Sequence, residues 1–327
     1  MSIVWAWPVR GKTGAVFGGD MMRRRDVIKS GAVAAAGLMG APTVCAEQQP
    51  SAEAAPPEPW IALLSDPHID SSESKRVKGV NMAERLTEVV NRLRAAEQRP
   101  EHVMINGDCA LGAGEAGDYT LLRRLLSPLE DEHWSVLMAL GNHDHRQRFV
   151  EGMGRSSEIY RTLDRHQQIL SSHGNSVWLL LDSLRETGEV AGELGPEQRQ
   201  WLSDQLDQIE ARNPTAKVFL LAHHQPEDPK DPDDDGYGLA DSNALIDLLW
   251  DRQQVKAIFH GHKHAWGIRK ANGIHIVGLP STAYVFKEGE QAGYVEARVR
   301  PDHLELTRRC IDVQHPAEGQ QRALVYR

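Results

Sequence analysis

Apolar positions along the chain recur with two periods. Ile61 to Leu64 is a short apolar run closed by Ser65 and Asp66, the pattern of a buried strand. Between Val77 and Gln98, the residues Met82, Leu86, Val89, Leu93 and Ala96 return at helical spacing and predict an amphipathic helix. His102 to Asn106 reads as a second strand, stopped by Gly107-Asp108, and Asp118 to Leu129 as a helix. Ser135 to Leu140 is a third strand, stopped by Gly141-Asn142, and Ser176 to Asp182 a fourth. Gly195-Pro196 opens a helix with proline in its first turn, and Leu202, Leu206 and Ile209 give that helix an apolar face. Lys217 to Ala222 is a fifth strand. Asp241 or Ser242 caps a helix through Trp250. Val255 to Phe259 is a sixth strand, stopped by His260-Gly261-His262.

The pattern then changes. Ile268 to Val277 folds around Asn272-Gly273, a strong hairpin signal, and Gly293 to Cys310 around Pro301-Asp302. Strands alternating with helices, followed by strands joined by turns, predict an α/β fold: a two-sheet mixed β-sandwich flanked by helices. The chain shows no internal repeat and no Rossmann or P-loop glycine motif.

Charge divides the chain. Of the 327 residues, 1–46 hold six basic side chains against Asp20 and Asp26, a net of +4, so the rest carries −13 of the total −9. That asymmetry marks a detachable leader. Arg23, Arg24 and Arg25 precede a small-residue apolar stretch from Gly31 to Met39, and Val44-Cys45-Ala46 offers a cleavage site. Arg24-Arg25-Asp26-Val27-Ile28-Lys29 resembles the twin-arginine export consensus, so the expected location is periplasmic or otherwise extracytoplasmic. Met21 or Met22 makes a better start than Met1, so residues 1–20 read as an over-extended start. Residues 47–59 are rich in Pro, Ala and Glu and read as a disordered linker, leaving 60–327 as the folded domain. The acidic balance disfavours duplex nucleic acid as a partner, and no apolar run reaches the length of a membrane anchor. Only Cys109 and Cys310 would survive cleavage; they could pair, but two free buried thiols is the simpler expectation.

The chemistry lies where strands stop. Five of the six predicted strands end in metal-ligand residue types: Asp66-Pro67-His68, Gly107-Asp108, Gly141-Asn142-His143-Asp144, His223-His224 and Gly261-His262-Lys263-His264. Ligands of open α/β sheets bind at the carboxyl ends of strands, so five such ends converge on one site. Imidazole and carboxylate together suit Zn, Mn or Fe. The glycines before Asp108, Asn142 and His262 are expected to turn the backbone sharply into the cleft. Each piece alone is weak. Asp-x-His also occurs at Asp131/His133 and Asp164/His166, before a strand and inside a helix-like stretch, where solvated surface charge is the better reading. His223-His224 alone would be one buried and one exposed histidine. The ordered set carries the signal.

That ordered set (D-x-H, GD, GNHD, H and GHxH) resembles the calcineurin-like metallophosphoesterase family over Trp60 to His264, closest to its bacterial class III cyclic-nucleotide phosphodiesterase branch. Leu194 to Leu202 resembles that branch's helix ahead of the histidine strand, and the trailing meander is expected to form the family's second sheet. The resemblance implies two divalent or trivalent transition-metal ions. Asp66, His68 and His264 would hold one, Asn142, His223 and His262 the other, and Asp108 would bridge them. It implies that His143 assists the leaving group and that Asp144 orients it. Two cations about 3.5–4 Å apart activate a bridging water and stabilise an in-line displacement at phosphorus. The implied protein is an exported phosphoesterase acting on a small phosphate-ester substrate, a phosphodiesterase for cyclic nucleotides or similar esters. A phosphomonoesterase and a non-catalytic metal-binding scaffold are the alternatives. Leu111 stands where purple acid phosphatases place a metal-binding tyrosine, which argues against that branch, and Gln225 separates the histidine pair from Pro226 where the phosphodiesterase branch has proline directly.

Overall fold

The computed structural model describes residues 59–153, 168–172, 175–228 and 236–327; the leader, nearly all of the linker and Asp164/His166 lie outside the described residues. In chain order the first elements are β1 (Ile61–Leu64), β2 (Arg76–Val77), β3 (Val80–Asn81), α1 (Met82–Ala95), β4 (His102–Asn106), α2 (Ala116–Asp131), β5 (Val136–Ala139) and α3 (Arg146–Met153). There follow β6 (Gln168–Ser172), β7 (Ser176–Leu181), α4 (Gly195–Arg212), β8 (Lys217–Ala222), α5 (Ser242–Leu249), β9 (Val255–His260), β10 (Gly267–Ala271), β11 (Ile274–Gly278), β12 (Gly293–Val299), β13 (His303–Cys310) and β14 (Gln321–Val325).

Two six-stranded sheets carry the fold, in the orders β14-β13-β12-β1-β4-β5 and β10-β11-β9-β8-β7-β6. Side-chain parity builds the layers. Ile61 and Leu63 of β1, with Phe219 and Leu221 of β8, enter the core between the sheets, where Trp178 packs against both Phe219 and Phe259. Their neighbours Ala62 and Leu64 face outward onto Leu86, Val89 and Leu93 of α1, and Val218, Leu220 and Ala222 onto Leu202 and Leu206 of α4. The result is a mixed two-sheet sandwich with helices on both outer faces. Each fully buried Leu or Ile in these layers contributes about 1.5–3 kcal/mol.

The parallel strands are shared between the sheets: β1, β4 and β5 in one, β7, β8, β9 and β11 in the other. The trailing strands divide: the β10-β11 hairpin joins the second sheet beside β9, as the sequence suggested, but the β12-β13-β14 meander does not. It extends the first, with β12 pairing antiparallel to β1 on the side away from β4. The first helix begins at Met82 rather than Val77, because Lys78 (φ 49°) and Gly79 (φ 80°) form a turn that the helix cannot contain. The Asn81 side chain caps it, accepting from the Glu84 N–H at 3.1 Å. The segment after His145 is helical over Arg146–Met153. Cys109 and Cys310 are free and buried. No described helix is long and apolar enough to cross a membrane.

Candidate metal centre

The carboxyl ends of β1, β4, β5, β8 and β9 meet at one edge, and the expected residues come together there. Asp66, His68, Asp108, His262 and His264 all have left-handed backbone, with φ between 46° and 64°. They are five of the nine described non-glycine residues in that region, a concentration of backbone strain at one place. The glycines act differently from expectation. Gly107 does turn through positive φ (82°), but Gly141 and Gly261 do not. They give room: a Cβ on Gly141 would lie 2.5 Å from the Asp108 backbone nitrogen, and one on Gly261 would lie 2.5 Å from Asp66 Oδ2.

Backbone carbonyls fix two of the rings. His223 Nδ1 lies 2.9 Å from Asn106 O, and His264 Nδ1 lies 2.6 Å from Tyr284 O. An Nδ1–H donated to each carbonyl leaves Nε2 as a lone pair facing the cluster. His223 Nε2 then points at Asp108 Oδ2 at 3.4 Å, and His264 Nε2 at Asp66 Oδ1 at 3.3 Å. His68 Nε2 is 3.0 Å from His264 Nε2 and 3.6 Å from Asp108 Oδ2. Ring nitrogens and carboxylate oxygens thus crowd one another across the cluster, an arrangement that fits cations set between them. Asp66 Oδ2, Asn142 Oδ1 and His223 Nε2 are buried without a hydrogen-bond partner.

The electrostatics agree. Burial pushes the Asp66 carboxyl up, but His264 and His223 pull it further down, to a net position well below the usual carboxylate range. Burial likewise raises Asp108, and His223 and His68 outweigh it, again leaving the carboxylate ionised. Burial alone would lower His223, yet Asp108 and Asp66 raise it to about 10, so the ring holds a proton between the carboxylates in the place a cation would take. Burial lowers His68 and His262 to about 4, which keeps both rings neutral and able to donate a lone pair.

Four overlapping sets of three donors lie within 4.8 Å: Asp66, His68 and His264; Asp66, Asp108 and His223; His68, Asp108 and His143; and His223, His224 and His262. Six of the seven expected ligands fall in these sets. Asn142, the seventh, is buried beside them with its Oδ1 unpartnered. Such oxygen and imidazole donors could hold two transition-metal ions.

Three residues behave differently from the sequence reading. Asp144 does not touch the His143 ring. Its Oδ2 accepts the N–H groups of Gly141 (2.9 Å) and Cys109 (3.0 Å), and its Oδ1 accepts those of Ala110 (3.0 Å) and the Tyr119 hydroxyl (3.1 Å). Asp144 therefore ties the loop after β4 to the loop after β5. Burial, with the charge of Asp108 adding to it, raises its pKa to about 6. The Gly112 carbonyl, 2.8 Å from Nδ1, orients His143 instead. His224 is as buried as His223, with Nδ1 2.8 Å from Ser183 Oγ and its ring 4.8 Å from that of His262. Sequence reasoning missed Tyr284, which stacks on His68 at 5.2 Å while its carbonyl holds His264. It sits in a loop after a hairpin, where no spacing pattern marks it.

The family model described as Calcineurin-like phosphoesterase matches residues 59–266. A 3′,5′-cyclic adenosine monophosphate phosphodiesterase of Pseudomonas aeruginosa is 32% identical over 232 residues, covering 70% of this chain and 78% of the relative. A glycerophosphodiester phosphodiesterase of Enterobacter lignolyticus is 25% identical over 241 residues, covering 74% and 81%. Among solved structures, a dimetal phosphatase from Danio rerio shares the fold at a TM-score of 0.63 and 16% identity, over 83% of this chain and 100% of that one.

Proposed function

The chain belongs to the calcineurin-like phosphoesterase family and is a metal-dependent phosphoric ester hydrolase, and from that premise we propose that it is an exported, dinuclear phosphodiesterase acting on cyclic nucleotides. The observation that carries this reading is the overlap of donor sets at Asp108. One carboxylate serving two neighbouring sets is the simplest way to hold two cations close together. On this reading Asp66, His68 and His264 hold one ion, Asn142, His223 and His262 the other, and Asp108 both, with Mn, Fe or Zn suited to the donors. Bound there, the pair would lower the pKa of a water and take up charge on the phosphoryl oxygens.

The chain's own residues do the rest. The Asn106 and Tyr284 carbonyls hold His223 and His264 so that their Nε2 atoms face the cluster. The Asp108 carboxylate accepts the His143 backbone N–H at 2.9 Å, which fixes His143 beside it. With Nδ1 held at the Gly112 carbonyl, the other nitrogen of His143 is free to carry a proton to the departing oxygen. Water adds to phosphorus, one P–O ester bond breaks, and a cyclic nucleotide becomes a nucleoside monophosphate. Support for that substrate class comes from the relatives' names, and support for export from the Arg24-Arg25 leader. Metal-loaded protein assayed on p-nitrophenyl phosphate, its bis ester, and 2′,3′- and 3′,5′-cyclic nucleotides tests the reading. Turnover of a cyclic nucleotide in excess of the monoester is expected; turnover of the monoester alone would replace it with a phosphomonoesterase.

A further inference from the structure

Phe286 is 54% exposed, yet it is not a loose surface side chain. Its ring stacks on that of His264 with centroids 4.2 Å apart and planes 22° from parallel. The loop that carries it is tied to the site through Ser281, Thr282 and Tyr284. Ser281 Oγ donates to Asp66 O at 3.0 Å, the Thr282 N–H donates to Ser65 O at 2.8 Å, and the Tyr284 carbonyl holds His264. A large apolar ring is therefore fixed at the mouth of the donor cluster with much of its surface in water. That arrangement forgoes burial worth roughly 25 cal/mol per Å² of apolar area. The ring also takes the Lys78 ammonium, 5.5 Å from its centroid, from the tip of the β2-β3 hairpin. Lys78 is exposed and has left-handed backbone (φ 49°), so the hairpin turns its tip toward this ring.

We propose that Phe286 is a stacking platform for the nucleobase of the substrate, backed on one face by His264. The exposed Lys78 ammonium over the ring, a weak contact at an exposed site, gives way to the base and pairs with the anionic ester. This rests on the cyclic-nucleotide reading above. A base has a flat π face of the kind that an exposed aromatic side chain recognises, and such stacking tolerates any base. A phosphodiester with no ring would gain nothing from Phe286. The residue is thus a specificity determinant rather than part of the hydrolytic machinery.

The test uses manganese-loaded protein. Calorimetry compares 5′-AMP with glycerol 3-phosphate, and steady-state kinetics compares 3′,5′-cyclic AMP with a glycerophosphodiester. Phe286→Ala should weaken AMP binding and raise KM for cyclic AMP about 10-fold, within the range of base-on-aromatic stacking. The same variant should leave kcat, metal content and KM for the glycerophosphodiester unchanged, and Phe286→Trp should restore the lost affinity. Equal losses on both substrates, or loss of metal, would show that Phe286 only supports His264 and would overturn the proposal. So would wild-type protein that binds AMP no better than glycerol 3-phosphate. Wild type that hydrolyses glycerophosphodiesters but not cyclic AMP, while still binding AMP through Phe286, refutes the substrate reading and leaves the platform standing.

Discussion

His143 Nδ1 lies 2.8 Å from the carbonyl oxygen of Gly112, and this contact decides which ring nitrogen can do chemistry. The carbonyl accepts the Nδ1 proton, so the second proton of an imidazolium must sit on Nε2. General-acid help is typically worth about 10²–10⁴-fold. His143→Gln keeps a polar group of similar reach but cannot serve as the acid. Metal content should stay near that of the wild type while kcat falls by about that factor on esters with ribose or alkyl leaving groups. The fall should be small on p-nitrophenyl esters, whose leaving group departs without a proton. Equal loss on both would mean that His143 stabilises phosphoryl charge instead.

Asp144 calls for the opposite signature. Two of its four accepted hydrogen bonds, from Cys109 and Ala110, join the loop that carries Asp108 to the loop that carries Asn142; the others come from Gly141 of its own loop and Tyr119 of α2. Asp144→Asn replaces one acceptor oxygen by a donor that faces N–H or O–H groups. Leaving a buried donor unsatisfied costs about 1–3 kcal/mol. The melting temperature should fall by several degrees, and rates on good and poor leaving groups should fall by the same factor. A leaving-group dependence like that of His143→Gln would restore Asp144 as the residue that orients His143.

Gly141 tests the room around the shared carboxylate. An added methyl would sit 2.5 Å from the Asp108 backbone nitrogen, so Asp108 must move. Overpacking of this kind costs about 1–3 kcal/mol. Gly141→Ala should lower both thermal stability and metal content, as read by calorimetry and elemental analysis. A variant with full metal content and wild-type activity would mean that the two loops yield more easily than their hydrogen bonds indicate.

The proposed export route rests on the leader sequence. Replacing Arg24 and Arg25 together with Lys should leave uncleaved protein in the cytoplasm, seen by fractionation and blotting. Normal export and processing of that variant would remove the twin-arginine reading.

The ligand types were legible in the sequence because each closes a strand whose apolar run is short and continuous. Parallel strands put those ends on one edge, and the order of the motifs did the rest. Other features were hidden for physical reasons. Asp144 follows His143 directly, which suggested a pair, but its carboxylate turns toward the backbone of Cys109 and Ala110, a choice made by tertiary packing. Gly112, Asn106 and Tyr284 act through main-chain carbonyls, which any residue type could supply. The β2-β3 turn interrupts a stretch of helical periodicity through two left-handed residues, and only Gly79 hints at it. The division of the parallel strands between two sheets leaves no trace in local patterning, because strands of both sheets are buried on both faces.

The account turns on Asp108 being shared between two ions, and elemental analysis of purified protein reaches that claim most directly. Asp108 Oδ2 lies 3.4 Å from His223 Nε2 and 3.6 Å from His68 Nε2, one ring from each proposed ligand set. Wild type should bind two transition-metal ions per chain, and Asp108→Ala should lose both. His262→Ala, which removes a ligand from one set only, should retain about one. A single tightly bound ion in the wild type, unchanged in Asp108→Ala, would contradict the shared centre.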